Sequence, residues 1–357
     1  MMNRVLHVID TLDIGGAEKI TVLLLNLFSE KGHTTGLATI LDSGRLSGKI
    51  NKDVKHISLK RRSKWSIKTA RVFMKLASNY DIIHIHLCHN LKWVLFWSIL
   101  LRKKINIIFH DHSNTVLKFN LLFLLHQCKV SHITVNQALH IKQSQTSPFK
   151  PRSYLLENII NKIPARGKYR NNSDTLSIVI VSNLRRIKNV EFAIKLANYI
   201  ADEKKVTLDI YYSHYEKEYY EKIYDLIDNE GSQLRINLIK DEIEPQLFFN
   251  EYDLAFHPSF HESGPLNILE YMAHGLPFLS YNTGQSIKLI QQKFPEFIVN
   301  SFKIEEWICK LEIILNNGRL YYNSSLINII PIFTLGPLSP DLVYATSPKL
   351  IFIKYSL

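Results

Sequence analysis

The feature that most constrains this 357-residue chain is an alternation of short aliphatic runs with amphipathic stretches, which stops once and starts again. Runs rich in Ile, Val and Leu stand at 4–9, 35–41, 82–86, 105–109 and 131–135, with helical periodicity between them at 17–30, 64–78, 90–102 and 137–144. An apolar strand followed by a helix, repeated, predicts a parallel sheet covered on both faces. Near 158–175 the chain turns polar ("NIINKIPARGKYRNNSDT"). The pattern then resumes, with strands expected near 176–181, 206–212, 234–239, 253–256 and 277–281 and helices near 189–202, 215–229, 265–274 and 303–316. The expected organisation is two doubly wound α/β domains, 1–160 and 176–317, joined by a linker at 161–175. Ligands of such sheets bind beyond the carboxyl ends of the strands, so a cleft between the two domains is the expected site. The last stretch, 318–357, carries Pro331, Pro337, Pro340 and Pro348 without helical period. It is expected to be an atypical tail, altered or frame-shifted relative to the rest.

The net charge of +12 is unevenly spread. Residues 1–150 carry 22 Lys and Arg against 8 Asp and Glu, and the remainder 22 against 24. A basic first half points to an anionic partner. Cys88, Cys128 and Cys309 are far apart and form no CxxC pair, which argues against a disulfide framework. "NRVLHVID" reads as a first strand, not a signal peptide, and no run of 18 apolar residues predicts a spanning helix. A cytoplasmic chain, peripheral on the inner membrane face, is the expectation.

The segment "FHESGPLNILEYMAHGLP" (260–277) sets Glu262 and Glu270 eight positions apart around a Ser263-Gly264-Pro265 break. Gly264 permits a sharp turn, Pro265 suits a helix start, and the helix is expected from Leu266 to His274, stopped by Gly275. Its N-terminus presents free N–H groups and the positive dipole end, a site for phosphate. Glu270 lies roughly 7 Å further along the axis at ~1.5 Å per residue, the reach from a phosphate to a ribose. One acid on the sugar side and one on the ribose describe a nucleotide-sugar cradle, because carboxylates accept paired hydrogen bonds from vicinal hydroxyls. A helix with one capping and one solvated acid has the same spacing.

Taken together, "HPSFHESGPLNILEYMAHGLPFLSYNTG" resembles the signature of retaining glycosyltransferases of the glycogen-synthase-like group (glycosyl transferases group 1), which have the GT-B fold of two Rossmann-like domains. "DIGGAEKITVLLLNLFSEKGH" (13–33), "YDIIHIHLCHN" with "INIIFHDHSN", and "IVIVSNLRRIKNVEFAIKLA" (178–197) resemble further segments of that family, so the likeness covers about residues 3–316. It implies that Gly15 and Gly16 let backbone approach the donor. It also implies that Lys188 and an arginine, Arg185 with Arg186 as alternate, neutralise the leaving diphosphate. A histidine beside the donor sugar and acceptor falls on His112, with His110 as runner-up. The first domain is then the acceptor domain and the second holds the nucleotide sugar. The implied activity is retaining transfer of a sugar from a nucleotide donor, UDP, to a glycan or lipid-linked acceptor in cell-surface polysaccharide or lipopolysaccharide synthesis. A nucleotide-sugar epimerase or hydrolase of the same fold, or a non-catalytic binding protein, are the alternatives. No two aspartates stand two apart, so the metal-diphosphate anchor of the other glycosyltransferase fold is missing. Transfer without metal or further cofactor is expected.

His84, His86 and Cys88 alternate and so share one strand face, with His89 nearby. They read as a metal site or, more plainly, as polar ends of a buried strand. "KRRSKWSIKTARVFMKLA" (60–77) holds seven cations and no acid. Lys64, Lys68, Arg71 and Lys75 form one helical stripe, with Trp65, Val72, Phe73 and Leu76 expected away from it. This is either a surface for anionic lipid or a helix packed on the sheet with a solvated cationic face. The apolar "VLKFNLLFLL" (116–125) could add a membrane contact or line an acceptor groove. Nucleic acid is not expected, because no binding module or basic–aromatic sheet pattern is present.

Overall fold

The alternation folds into two all-parallel sheets, of seven and six strands. The structure, a computed structural model, describes residues 3–112, 130–137, 139–141, 153–156, 158–160, 174–228, 233–319, 321–322 and 326. The apolar stretch at 116–125, the linker at 161–173 and most of the tail lie outside the described residues. The chain divides into two units between Asn158 and Ile159.

In the first unit the elements run β1 (Arg4–Ile9), α1 (Gly16–Glu30), β2 (Thr34–Thr39), β3 (Lys55–Ser58), α2 (Ile67–Ala77), β4 (Ile82–His86), α3 (Cys88–Leu100), β5 (Ile107–Asp111), β6 (Val130–Thr134) and β7 (Ser153–Leu155). Strand order is β3-β2-β1-β4-β5-β6-β7, so the winding reverses between β1 and β4. The period of two along these strands sorts their side chains between the two faces. On one face Leu6, Val8, Ile83, Ile85, Ile107 and Phe109 pack against Phe73 and Met74 of α2 and Leu91, Val94 and Trp97 of α3. The opposite face carries His7, His84, His86 and His110, all buried, with His7 against Phe28 of α1.

Two of the shifts in expected helix starts have a visible local cause. The helix placed at 64–78 begins at Ile67 because Ser66 caps it, its Oγ accepting the Thr69 N–H at 3.3 Å. The helix placed at 90–102 begins at Cys88, after Leu87 turns the chain with φ 72°. Cys88 therefore leaves the strand that carries His84 and His86, and the expected three-residue face loses it.

Across the basic segment, Phe73 is buried and Leu76 half-buried, while Lys68, Arg71 and Lys75 are exposed. Trp65 and Val72 depart from the expected grouping. They are 64% and 51% exposed and stand among the cations. Among the described residues, no helix is long and apolar enough to cross a membrane.

The second unit runs β8 (Thr175–Val181), α4 (Val190–Ala201), β9 (Lys205–Tyr212), α5 (Lys217–Asp228), β10 (Leu234–Lys240), β11 (Leu254–His257), α6 (Leu266–Ala273), β12 (Phe278–Tyr281), α7 (Gln285–Lys293), β13 (Ile298–Val299) and α8 (Ile304–Asn317). Strand order is β10-β9-β8-β11-β12-β13, with its reversal between β8 and β11. Its core continues past α8. Tyr322 packs on Phe297, and the buried Arg319 donates to the carbonyl of Tyr252.

Candidate active site

The loops after β8, β11 and β12 meet at the switch point of the second sheet. After β8 the chain makes a short 3-10 turn, Arg186–Lys188, closed by Lys188 N–H to the Arg185 carbonyl at 2.8 Å. Asn189 then takes a left-handed conformation, φ 51°, and α4 begins. The Phe260 N–H donates to the Ile187 carbonyl at 2.9 Å, which ties the loop after β11 to this turn. That bond explains how Lys188 comes to face residues 74 positions later. Lys188 Nζ lies 2.5 Å from Glu262 Oε1, and His257 Nε2 lies 3.5 Å from the same oxygen.

Glu262 is held from a third side. Its N–H donates to Thr283 Oγ1 at 3.0 Å. Gly284, at φ 92°, comes so close that a Cβ there would stand 2.7 Å from Pro265 Cδ and 3.3 Å from Glu262 Cβ. Only glycine suits both the backbone angle and the space. Burial pushes the Glu262 carboxyl up, but His257 and the Lys188 ammonium outweigh it and bring its pKa down to about 2. The acid is therefore a carboxylate at neutral pH, paired to a cation at the mouth of a helix.

Pro265 stands at the cap of α6 with φ −68° and ψ 110°, and Leu266 is its first residue. Ser263 and Gly264 form the bend before it. The helix ends at Ala273, one residue before the expected His274. The Leu276 N–H bonds the Tyr271 carbonyl at 2.9 Å and the Gly275 N–H bonds the Met272 carbonyl at 3.0 Å, a Schellman closure with Gly275 at φ 58°. The helix is docked on β8. Asn267 Nδ2 donates to the Val181 carbonyl, and the Val181 N–H donates to Tyr271 Oη at 3.1 Å. Glu270 is on this helix and only 7% exposed, so it is not the solvated acid that spacing alone allowed.

The two candidate arginines differ. Arg186 pairs with Glu218 at 3.3 Å on the surface. Arg185 is exposed at the head of the turn and has no ion pair among the described residues. Lys188 and Glu262 are thus brought together before α6, in the loop that continues through Ser263, Gly264 and Pro265 to Leu266.

The remaining predicted residues lie in the first unit. Gly15 caps α1 in extended backbone, φ −165°, and Gly16 is the first helical residue. A Cβ at Gly15 would meet only the flexible Glu18 carboxylate. The glycine this loop requires is Gly44, at φ 75°, where a Cβ would strike the backbone of Leu12 and Asp13 at 2.3–2.6 Å. His112 follows β5, its Nε2 3.0 Å from His86 Nδ1. Burial, opposed by Asp111, lowers its pKa to about 4, so the ring is neutral at pH 7. Cys88 and His89 do not join these rings. His89 instead pairs with Asp10 at the end of β1.

Sequence reasoning gave no role to His257, Thr283, Gly284 or Gly44. His257 was findable as the last residue of a strand leading into the acidic loop, and Gly284 as the glycine closing the next strand.

Residues 161–325 match the model of the family described as Glycosyl transferases group 1. That match falls within the second unit. The matched segment contains Arg185, Lys188, Glu262, the α6 mouth and Glu270. An uncharacterized glycosyltransferase of Haemophilus influenzae is 27% identical over 151 residues, spanning 42% of this chain and 42% of that relative. Among solved structures, Anabaena Alr3699/HepE in complex with UDP-glucose superimposes with a TM-score of 0.74 at 16% identity, over 99% of this chain and 100% of that one. The lipopolysaccharide outer core galactosyltransferase WaaB gives 0.66 at 12% identity, over 98% and 99%. At such identities the likeness is one of fold, and the fold is GT-B.

Proposed function

We propose that this chain transfers a sugar from a nucleoside diphosphate donor, UDP in the first instance, to a glycan or lipid-linked acceptor. The carrying observation is the Lys188–Glu262 pair at the mouth of α6, in a segment that matches the group 1 model and within a fold shared with a protein solved with UDP-glucose. The donor diphosphate takes the α6 N-terminus, where backbone N–H groups and the dipole favour negative charge. As the sugar bond breaks, charge grows on the leaving phosphate, and Lys188 with Arg185 meets it where it develops. Glu262, held ionised by His257 and Lys188, accepts hydrogen bonds from sugar hydroxyls, and Glu270 accepts those of the ribose.

Gly15 and Gly16 let the first unit's backbone approach the donor, and His112, neutral at pH 7, hydrogen-bonds the reacting sugars. Retention of configuration follows from attack on the face the diphosphate leaves, with the diphosphate oxygens taking the acceptor proton. Lys188, Arg185 and the helix end together supply positive charge, so the transfer step uses neither a metal nor a further cofactor. The basic first unit holds the acceptor. Trp65, Ile67 and Val72, exposed among Lys68, Arg71 and Lys75, fit a surface that rests on anionic lipid. A role in cell-surface polysaccharide or lipopolysaccharide synthesis accords with the fold shared with WaaB.

A screen of nucleotide sugars against lipid-linked and glycan acceptors, reading nucleotide release and product anomer, tests this reading. Acceptor-dependent release with retained configuration is expected. Release that ignores every acceptor would favour a hydrolase, and epimerised donor an epimerase. Failure to bind any nucleotide sugar would favour a binding protein.

A further inference from the structure

The histidine face of the first sheet has no part in holding the nucleotide, and its chemistry is unusual. β1 and β4, the strands that flank the switch point, place His7 and His84 in register, and His86 lies two residues along the same face. One nitrogen from each of these three rings lies within 4.8 Å of the others, and His7 Nδ1 is 3.1 Å from His86 Nε2. Two imidazoles on one tetrahedral zinc ion, with bonds of about 2.0–2.1 Å, have nitrogens about 3.3 Å apart.

Nitrogen accounting points the same way. His7 bonds His86 and His86 bonds His112, which uses both nitrogens of His86. His84 is buried with neither ring nitrogen hydrogen-bonded among the described residues, and the same holds for His7 Nε2. Buried polar atoms are normally satisfied. Among the described residues no choice of tautomer satisfies His84, because its ring neighbours His7, His86 and His110 make no hydrogen bond with it. A cation that takes a lone pair from each of three rings does.

We propose that His7, His84 and His86 bind one divalent transition-metal ion of the zinc class, a structural site that joins β1 to β4. The all-imidazole set fits zinc and its neighbours rather than calcium or magnesium, which take oxygen ligands. Strand backbone fixes all three ligands, and the two strands pair directly in the sheet. His86, His110 and His112 form a second possible trio that shares His86, and a neutral imidazole has one lone pair to give, so one ion per chain is proposed. Lys188, Glu262 and α6 belong to the other unit, so the trio is a site of the first unit alone.

The test uses the full chain purified without a histidine tag, stripped with chelator, dialysed against zinc and freed of unbound metal by gel filtration. About one zinc per chain is expected, with a melting temperature several degrees above the stripped protein. His84→Gln should lose both, whereas His89→Gln, whose histidine pairs with Asp10 outside the cluster, should keep both. Wild type that retains no zinc and gains no thermal stability overturns the proposal, as does His84→Gln that retains as much zinc as wild type. Should His84→Gln fail to fold, the cobalt-loaded wild type decides. Visible absorption of tetrahedral nitrogen-ligated cobalt supports the site, and a featureless spectrum overturns it.

Discussion

Lys188 Nζ stands 2.5 Å from Glu262 Oε1, so the cation assigned to the diphosphate is already neutralised by the acid assigned to the sugar. The two roles can be separated. Glu262→Gln should leave UDP affinity equal to or above that of wild type, because Lys188 no longer has a competing carboxylate. Its transfer rate should fall at least ~100-fold, as a charge-stabilising contact is lost. Calorimetry for UDP and initial rates for transfer check the split. A parallel fall in both would mean that Glu262 merely holds the loop.

The same carboxylate makes the fold sensitive to acid. Its pKa in the folded chain is about 2, below the ordinary 4.5, so its contribution is fully present above pH 4.5 and is lost as pH falls toward 2. The window corresponds to about 3.5 kcal/mol at most, at ~1.4 kcal/mol per unit. Urea melts between pH 6 and 2.5 should show a shallower acid limb in Glu262→Gln than in wild type. Identical slopes would show that the pair contributes nothing to acid sensitivity.

Gly284→Ala should destabilise the chain by about 1–3 kcal/mol, since φ 92° with ψ 161° belongs to a region occupied almost only by glycine. The new methyl would also press on Pro265 and Glu262, so UDP binding should weaken with stability. Thermal melts and titrations on the same sample check both. A melt within half a degree of wild type would contradict the geometry of this loop.

Sedimentation with vesicles tests the exposed stripe of α2. Vesicles rich in phosphatidylserine should retain the chain at low salt and release it as salt screens the charge. The double substitution Lys68→Glu with Arg71→Glu should abolish retention without changing the melt, because both side chains are exposed. Equal retention by neutral vesicles would contradict the electrostatic reading.

How much of this was legible in the sequence varies with the length of the signal. A long aliphatic run such as Ile178–Val181 of β8 announces itself, because a buried parallel strand is a continuous apolar run. The short edge strands β3, β7 and β13, with four, three and two residues, carry no such run and went unseen. Glu262, Gly264, Pro265 and Glu270 were readable because turn and helix-start chemistry are local. His257 and Gly284 stand at findable positions, but their roles and that of Thr283 were not readable, because they depend on the chain after β11 meeting the chain after β12. The histidine face was half-read. Alternation exposed His84 and His86, but His7 joins them only through strand pairing, and Cys88 drops out where Leu87 turns the chain.

The account rests on the second unit gripping a nucleoside diphosphate between Lys188 and Glu270. Calorimetric titration of UDP into wild type, Lys188→Ala and Glu270→Gln tests it most directly. Binding by the wild type at one site, weakened about tenfold or more in each variant with the melt preserved, is the predicted result. No UDP binding by the wild type, or equal affinity in all three proteins, would contradict it.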